Sequence, residues 1–132
     1  GLVFSDPAQL DTLNRIVYFH VRRAVETIRA EKKACGCALF AVDAINLIQS
    51  GLASLCDVTV GVTAPQEVRL VRIMARDGIE RRYALLRIRA QEPESYFRTH
   101  CTYILENGEI SQEEFQIQAE ALLDKIIKEN AK

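Results

Sequence analysis

Apolar positions recur along this chain with two distinct rhythms. Leu10, Leu13, Ile16, Val17, Val21, Val25 and Ile28 follow three- and four-residue steps, which predicts an amphipathic helix from about 7 to 32. Ser5-Asp6-Pro7 is a helix start, with a Ser cap and Pro in the first turn. Lys32 and Lys33 fall in its last turn, where cations oppose the negative helix end, and Gly36 terminates it. The rhythm then changes. Ala38 to Val42 is a short continuous apolar run, the pattern of a strand covered on both faces, and Val58 to Val62 is a second. Ile45 to Leu52 reads as a short helix between them, ending near Gly51. Strand, helix and strand at this spacing predict a right-handed βαβ unit and hence a parallel sheet.

Helical periodicity returns after Ala64-Pro65-Gln66-Glu67, predicting a helix over 65–76, a turn near 77–80 at Gly78, and a helix over 80–91. Tyr103 to Leu105 is a third strand. Ser111 and Glu114 have the spacing of a capping box, opening a terminal helix with Phe115, Ile117, Ala119, Leu122, Leu123, Ile126 and Ile127 along it. There is no repeat, low-complexity stretch or linker. The whole of 1–132 is expected to be a single domain, the second half of a doubly wound α/β unit with a long helix before it.

Composition narrows the function classes. Seventeen basic and 18 acidic residues leave a formal net charge of −1, so there is no global attraction to nucleic acid. The basic excess is local: Arg69, Arg72, Arg76, Arg81, Arg82, Arg87 and Arg89 stand against Asp77 and Glu80. No nucleic-acid motif accompanies them, so a nucleic-acid partner is not expected. Cys35, Cys37, Cys56 and Cys101 lack the two-residue gaps of structural zinc sites and read as reduced thiols, with no metal site. No apolar run approaches the ~18 residues of a membrane span, and the chain reads as cytoplasmic, without a membrane partner.

The candidate chemistry lies in the arginines. Arg72 and Arg76 are four apart and share a helix face, and Arg87 returns after the turn. Permanently charged, fork-shaped guanidiniums near the end of a parallel strand suit a polyphosphate, against the alternative of a solvated basic face. Asp43, just past an apolar run, is placed to hold a substrate hydroxyl, to order a magnesium ion through water, or to cap the following helix. Asn107-Gly108 makes the turn after the third strand. His20 and His100 have no partner pattern and read as structural.

The order Arg72…Arg76-Asp77-Gly78-Ile79, followed by Ala84, Arg87-Ile88 and Gln91, resembles the lid of dephospho-coenzyme A kinases. Phe4-Ser5-Asp6-Pro7 with Leu13-Asn14-Arg15-Ile16 is similar to that family's entry into the long helix of its coenzyme-binding region. Asp43 to Gly51-Leu52, Leu55-Cys56-Asp57, and Tyr103 through Asn107-Gly108 resemble further segments in the same order. Departures occur at Ile45, Asn46 and Gln49, where the family has Pro, Leu and Glu, and at Tyr18-Phe19, where it has His-Pro.

The resemblance implies a P-loop kinase-like, three-layer α/β/α fold on a parallel sheet, truncated at the N-terminus, with an arginine-rich helical lid at about 72–91. Residues 1–34 would be the long helix of the coenzyme-binding region and 35–132 the core strands, lid and terminal helix. It implies transfer of the ATP γ-phosphate to the ribose 3′-hydroxyl of dephospho-coenzyme A, with Mg2+ and ATP. Arg72, Arg76 and Arg87 would meet the ATP phosphates, Asp43 the substrate, and Asn107 would lie near the adenine. No Gly-x-x-x-x-Gly-Lys-Ser/Thr loop occurs in the chain, so the P-loop and the base are expected outside it and the chain alone to be inactive. Two alternatives stand beside this reading: another small P-loop nucleotide kinase, against which the Leu13-Asn14 and Cys56-Asp57 entries argue, and a non-catalytic module binding a nucleotide or partner through the basic segment.

Overall fold

A computed structural model describes residues 6–130, and the chain forms two compact units, Gly1–Asp57 and Val58–Lys132. Phe4 and Ser5 lie outside the described residues. The first unit is dominated by α1, Pro7–Ala34. Its cap is Asp6 rather than the expected Ser5: the Asp6 carboxylate accepts from the Ala8 and Gln9 amides at 3.0 and 3.3 Å. Arg22 ties the helix to the segment around Gly51, donating to the Gly51 carbonyl and the Ser54 hydroxyl, both at 3.2 Å. Leu52, 3% exposed, is the buried anchor of this unit.

Two expectations fail here. Ala38 to Val42 forms no strand, and Ile45 to Leu52 forms consecutive turns followed by a short 3-10 helix, Leu52–Leu55. An apolar run becomes a strand only if its backbone N–H and C=O groups find a ladder partner, and five apolar residues do not encode which one. Leu39 in that run is 54% exposed. The first predicted βαβ unit is therefore absent.

The parallel sheet forms in the second unit instead, between β1, Val60–Thr63, and β2, Tyr103–Glu106. The register pairs Val60 with Tyr103 and Thr63 with Glu106. Between them the chain runs through α2, Gln66–Asp77, α3, Arg81–Arg89, and α4, Glu94–His100, and α5, Gln112–Asn130, comes after β2. This is an α/β arrangement in which helices predominate. Thr59 and Thr102 prolong the pairing ahead of both strands: each hydroxyl accepts from the other residue's amide, at 3.0 and 3.2 Å.

Gly61 lets α4 lie directly on β1. A Cβ there would sit 3.0 Å from the Cys101 sulfur and 3.0 Å from Ile104 Cδ1, closer than side chains normally approach. Helix α4 is too short to show a clear apolar period, and periodicity does not predict it. The α2–α3 pair holds the core of the unit: Leu70, Ala84 and Ile88 are buried, with Ile73, Met74, Ile79 and Leu85 packed around them. Gly78 turns one helix into the other in a left-handed conformation, φ 63°, that other residues adopt at a cost. The predicted capping box is present at α5, Ser111 and Glu114 exchanging amide bonds at 2.8 and 3.1 Å.

Candidate functional site

The arginine segment lies on α2 and α3, which start from the C-terminal end of β1. In open parallel sheets this is the edge where ligands bind. Arg72 and Arg76 are one helical turn apart, yet their guanidiniums go to different partners. Arg72 reaches the loop after β2, donating to the Asn107 carbonyl at 3.0 Å, the Asn107 side-chain oxygen at 3.1 Å and the Gly108 carbonyl at 3.0 Å. Two candidate residues, Arg72 and Asn107, are thus in direct contact. The triple contact stiffens the loop and leaves Arg72 fewer donors for a ligand than an open guanidinium would have.

Arg76 and Arg87 converge on Asp77. Arg76 makes a side-on pair, Nε to Oδ1 at 2.7 Å and Nη2 to Oδ2 at 3.0 Å, and Arg87 donates Nη1 to the same Oδ2 from α3. The two arginines keep 73% and 55% of their side-chain area exposed, whereas Asp77 keeps 19%. Hydrogen bonding to Arg76 is the main reason the Asp77 carboxyl is held below the ordinary carboxylate range, with the charges of Arg76 and Arg87 adding to it. The same bond raises the Arg76 guanidinium, which stays charged throughout the accessible pH range.

The other arginines of the segment divide. Arg81 pairs with both oxygens of Glu67 at 3.0 Å, and Arg82 with Glu80 at 3.0 Å while lying over the Tyr83 ring. Those are surface pairs of small energetic weight. Asp43 belongs to the first unit, exposed in the irregular stretch before the turns at 45–51. His100 bonds the Tyr96 carbonyl at 2.7 Å and stacks on the Tyr96 ring, which accounts for it as a structural residue.

Two features escape a reading of the sequence. Asp77 stands there only as a negative charge among arginines, although an Arg-Asp pair just before a helix-ending Gly is a visible signal. Thr63, at the last position of β1, is 8% exposed, and its hydroxyl has no hydrogen-bond partner among the described residues. No sequence signal marks such an orphan. Among the described residues no three His, Cys, Asp or Glu side chains gather into a metal-binding group. No helix among them is long and apolar enough to cross a membrane.

Comparison with known proteins gives the family. A family model described as dephospho-CoA kinase matches residues 1–113. A dephospho-CoA kinase of Thermus thermophilus is 38% identical over 106 residues, covering 80% of this chain and 51% of the relative. One from Deinococcus radiodurans is 36% identical over 118 residues, covering 89% of this chain and 57% of its own. The crystal structure of TT1252 from Thermus thermophilus superposes with a TM-score of 0.69 at 34% identity, covering 94% of this chain and 63% of that one. The chain spans about half the length of these curated relatives.

Proposed function

The chain belongs to the dephospho-coenzyme A kinase family, and from that premise we propose that it serves transfer of the ATP γ-phosphate to the ribose 3′-hydroxyl of dephospho-coenzyme A. The observation that carries the proposal is the convergence of two exposed guanidiniums, Arg76 and Arg87, at the α2–α3 turn. Phosphoryl transfer needs little covalent help from the protein and much charge neutralisation, which such a pair supplies to the phosphate oxygens. Arg72 is assigned to holding the Asn107–Gly108 loop beside the adenine, with contact to phosphate as its second role. Asp43 is assigned to the acceptor hydroxyl.

ATP is the phosphate donor in this reading. A magnesium ion bound with ATP would supply further neutralisation of phosphate charge. The described residues form no donor cluster that would hold the ion by themselves. The chain's own sequence holds no phosphate-cradling Gly-rich loop.

The test is a coupled ADP-release assay with ATP and dephospho-coenzyme A, run on the protein at its full encoded length and on the 132-residue chain. Turnover that requires dephospho-coenzyme A is expected from the former and none from the latter. ADP release indifferent to the acceptor would overturn the substrate assignment. Turnover by the 132-residue chain would overturn the expectation that the reaction needs a Gly-rich phosphate loop.

A further inference from the structure

Asp77 is in an electrostatically unfavourable place. It is the last residue of α2, where the helix presents the negative end of its dipole, and a carboxylate there is ordinarily destabilising. Its side chain is nonetheless the most covered charged group of the lid turn, and its Oδ2 accepts from arginines on both helices. Arg76 and Arg87 are like charges on different helices, and without an anion between them they would repel and swing apart into solvent. Gly78 ends α2 in the left-handed turn that sends the chain back into α3 and brings Arg87 to the same oxygen.

We propose that Asp77 is a positioning residue for phosphoryl transfer, a built-in anion that keeps the Arg76 and Arg87 guanidiniums together and aimed before ATP arrives. This rests on the lid reading above. With both arginines held, Asp77 neutralises one of their two charges and leaves a net +1 for the incoming phosphates. Each arginine has donors to spare: Arg76 uses Nε and Nη2 on Asp77 and keeps Nη1 free of it, and Arg87 uses Nη1 and keeps Nε and Nη2. The phosphate oxygens then meet two forks already in place, and the ordering of two long side chains is not left to the moment of binding. The hydrogen bond from Arg76, with the charges of both arginines, holds this carboxyl below the ordinary carboxylate range and so favours the anion.

The experiment is a mutant cycle in the protein at its full encoded length, reading kcat and both KM values. Asp77→Ala should lower kcat by about tenfold to a hundredfold, the weight of charge-assisted hydrogen bonds expressed as a rate. KM for dephospho-coenzyme A should not move, and Asp77→Glu should recover most of the loss. In an Arg76→Ala/Arg87→Ala background, Asp77→Ala should have no further effect. Independently of turnover, the side-chain Nε–Hε resonance of Arg76, whose Nε donates to Asp77, should stand apart from those of solvent-exposed arginines in the native protein and move toward them in Asp77→Ala. An equal loss from Asp77→Ala in both backgrounds, or native kcat and an unchanged resonance in Asp77→Ala, would overturn the inference. Native kcat in the double arginine variant would overturn the lid reading, and this inference with it.

Discussion

Helix α1 and the α2–α3 hairpin are built from similar amphipathic sequence and reach different states of burial. Along α1, Ile16 and Phe19 keep 54% and 57% of their surface exposed, and the helix is tied within its unit by a few polar contacts from Arg22 and Tyr18. In the hairpin, Leu70 and Ala84 are completely buried. The difference is reach. A three-residue turn at Gly78 folds α3 back on α2, so each apolar stripe finds a facing one at little loop-closure cost. An amphipathic pattern states which face wants burial; a nearby partner determines whether it is buried within the unit.

The largest effect that would sharpen this comparison is on the reaction. In the protein at its full encoded length, Arg76→Ala should lower turnover by about a thousandfold, the lower end of the range for an arginine that stabilises transferring phosphate. Arg82→Ala, removing a surface pair with Glu80, should leave the rate nearly unchanged. Steady-state kinetics on both variants checks the pair, and equal small losses would reduce the segment to a solvated face.

Stability separates the two helical regions directly. Leu70→Ala should cost about 2–5 kcal/mol, because the emptied site sits between packed helices. Ile16→Ala, on the exposed stripe of α1, should cost no more than about 0.5 kcal/mol. Urea titrations of the two variants provide the measurement. Comparable losses would show that the α1 stripe is buried as deeply as the hairpin core.

A smaller effect belongs to the sheet. Gly61→Ala should destabilise by about 1–3 kcal/mol, since the new methyl meets the Cys101 sulfur and Ile104 at 3.0 Å and α4 must move away from β1. Thermal melting followed by far-ultraviolet circular dichroism would read it. An unchanged melt would mean that α4 yields freely.

The smallest effect is the pH dependence. Asp77 and Glu114 both titrate below their ordinary values in the folded chain, the first chiefly through Arg76 and the second through the Ser111 amide and hydroxyl. A carboxyl with a depressed folded pKa contributes stability that is complete above its unfolded value of about 4 and disappears as pH falls through the folded value. The second unit should therefore weaken on acidification below about pH 4, and Asp77→Asn should flatten that slope. Denaturant midpoints measured from pH 6 to acid would test the sign.

Helix signals were largely readable because they are local. The period of α1, the terminal cap box at Ser111 and Glu114, and the Gly78 turn each involve residues within a few positions, and all are present. The cap of α1 shifted by one residue to Asp6, a choice between adjacent oxygens that propensity does not settle. Strands were readable only in part. Val58 to Val62 and Tyr103 to Leu105 found each other across the intervening helices, whereas Ala38 to Val42 took no ladder partner.

By itself the sequence determined helices α1, α2, α3 and α5 and the kinase family, the last through the spaced arginines around Asp77-Gly78 and the ordered segments on either side. Tertiary structure alone decided which apolar run paired, that Arg72 turns to Asn107 and Gly108, and that Arg76 and Arg87 meet on one carboxylate. Periodicity and capping depend on neighbours along the chain, and a sequence records those. Ladder partners and the direction of the Arg72 and Arg87 guanidiniums depend on groups 10 to 43 residues away, brought close only when the chain has folded.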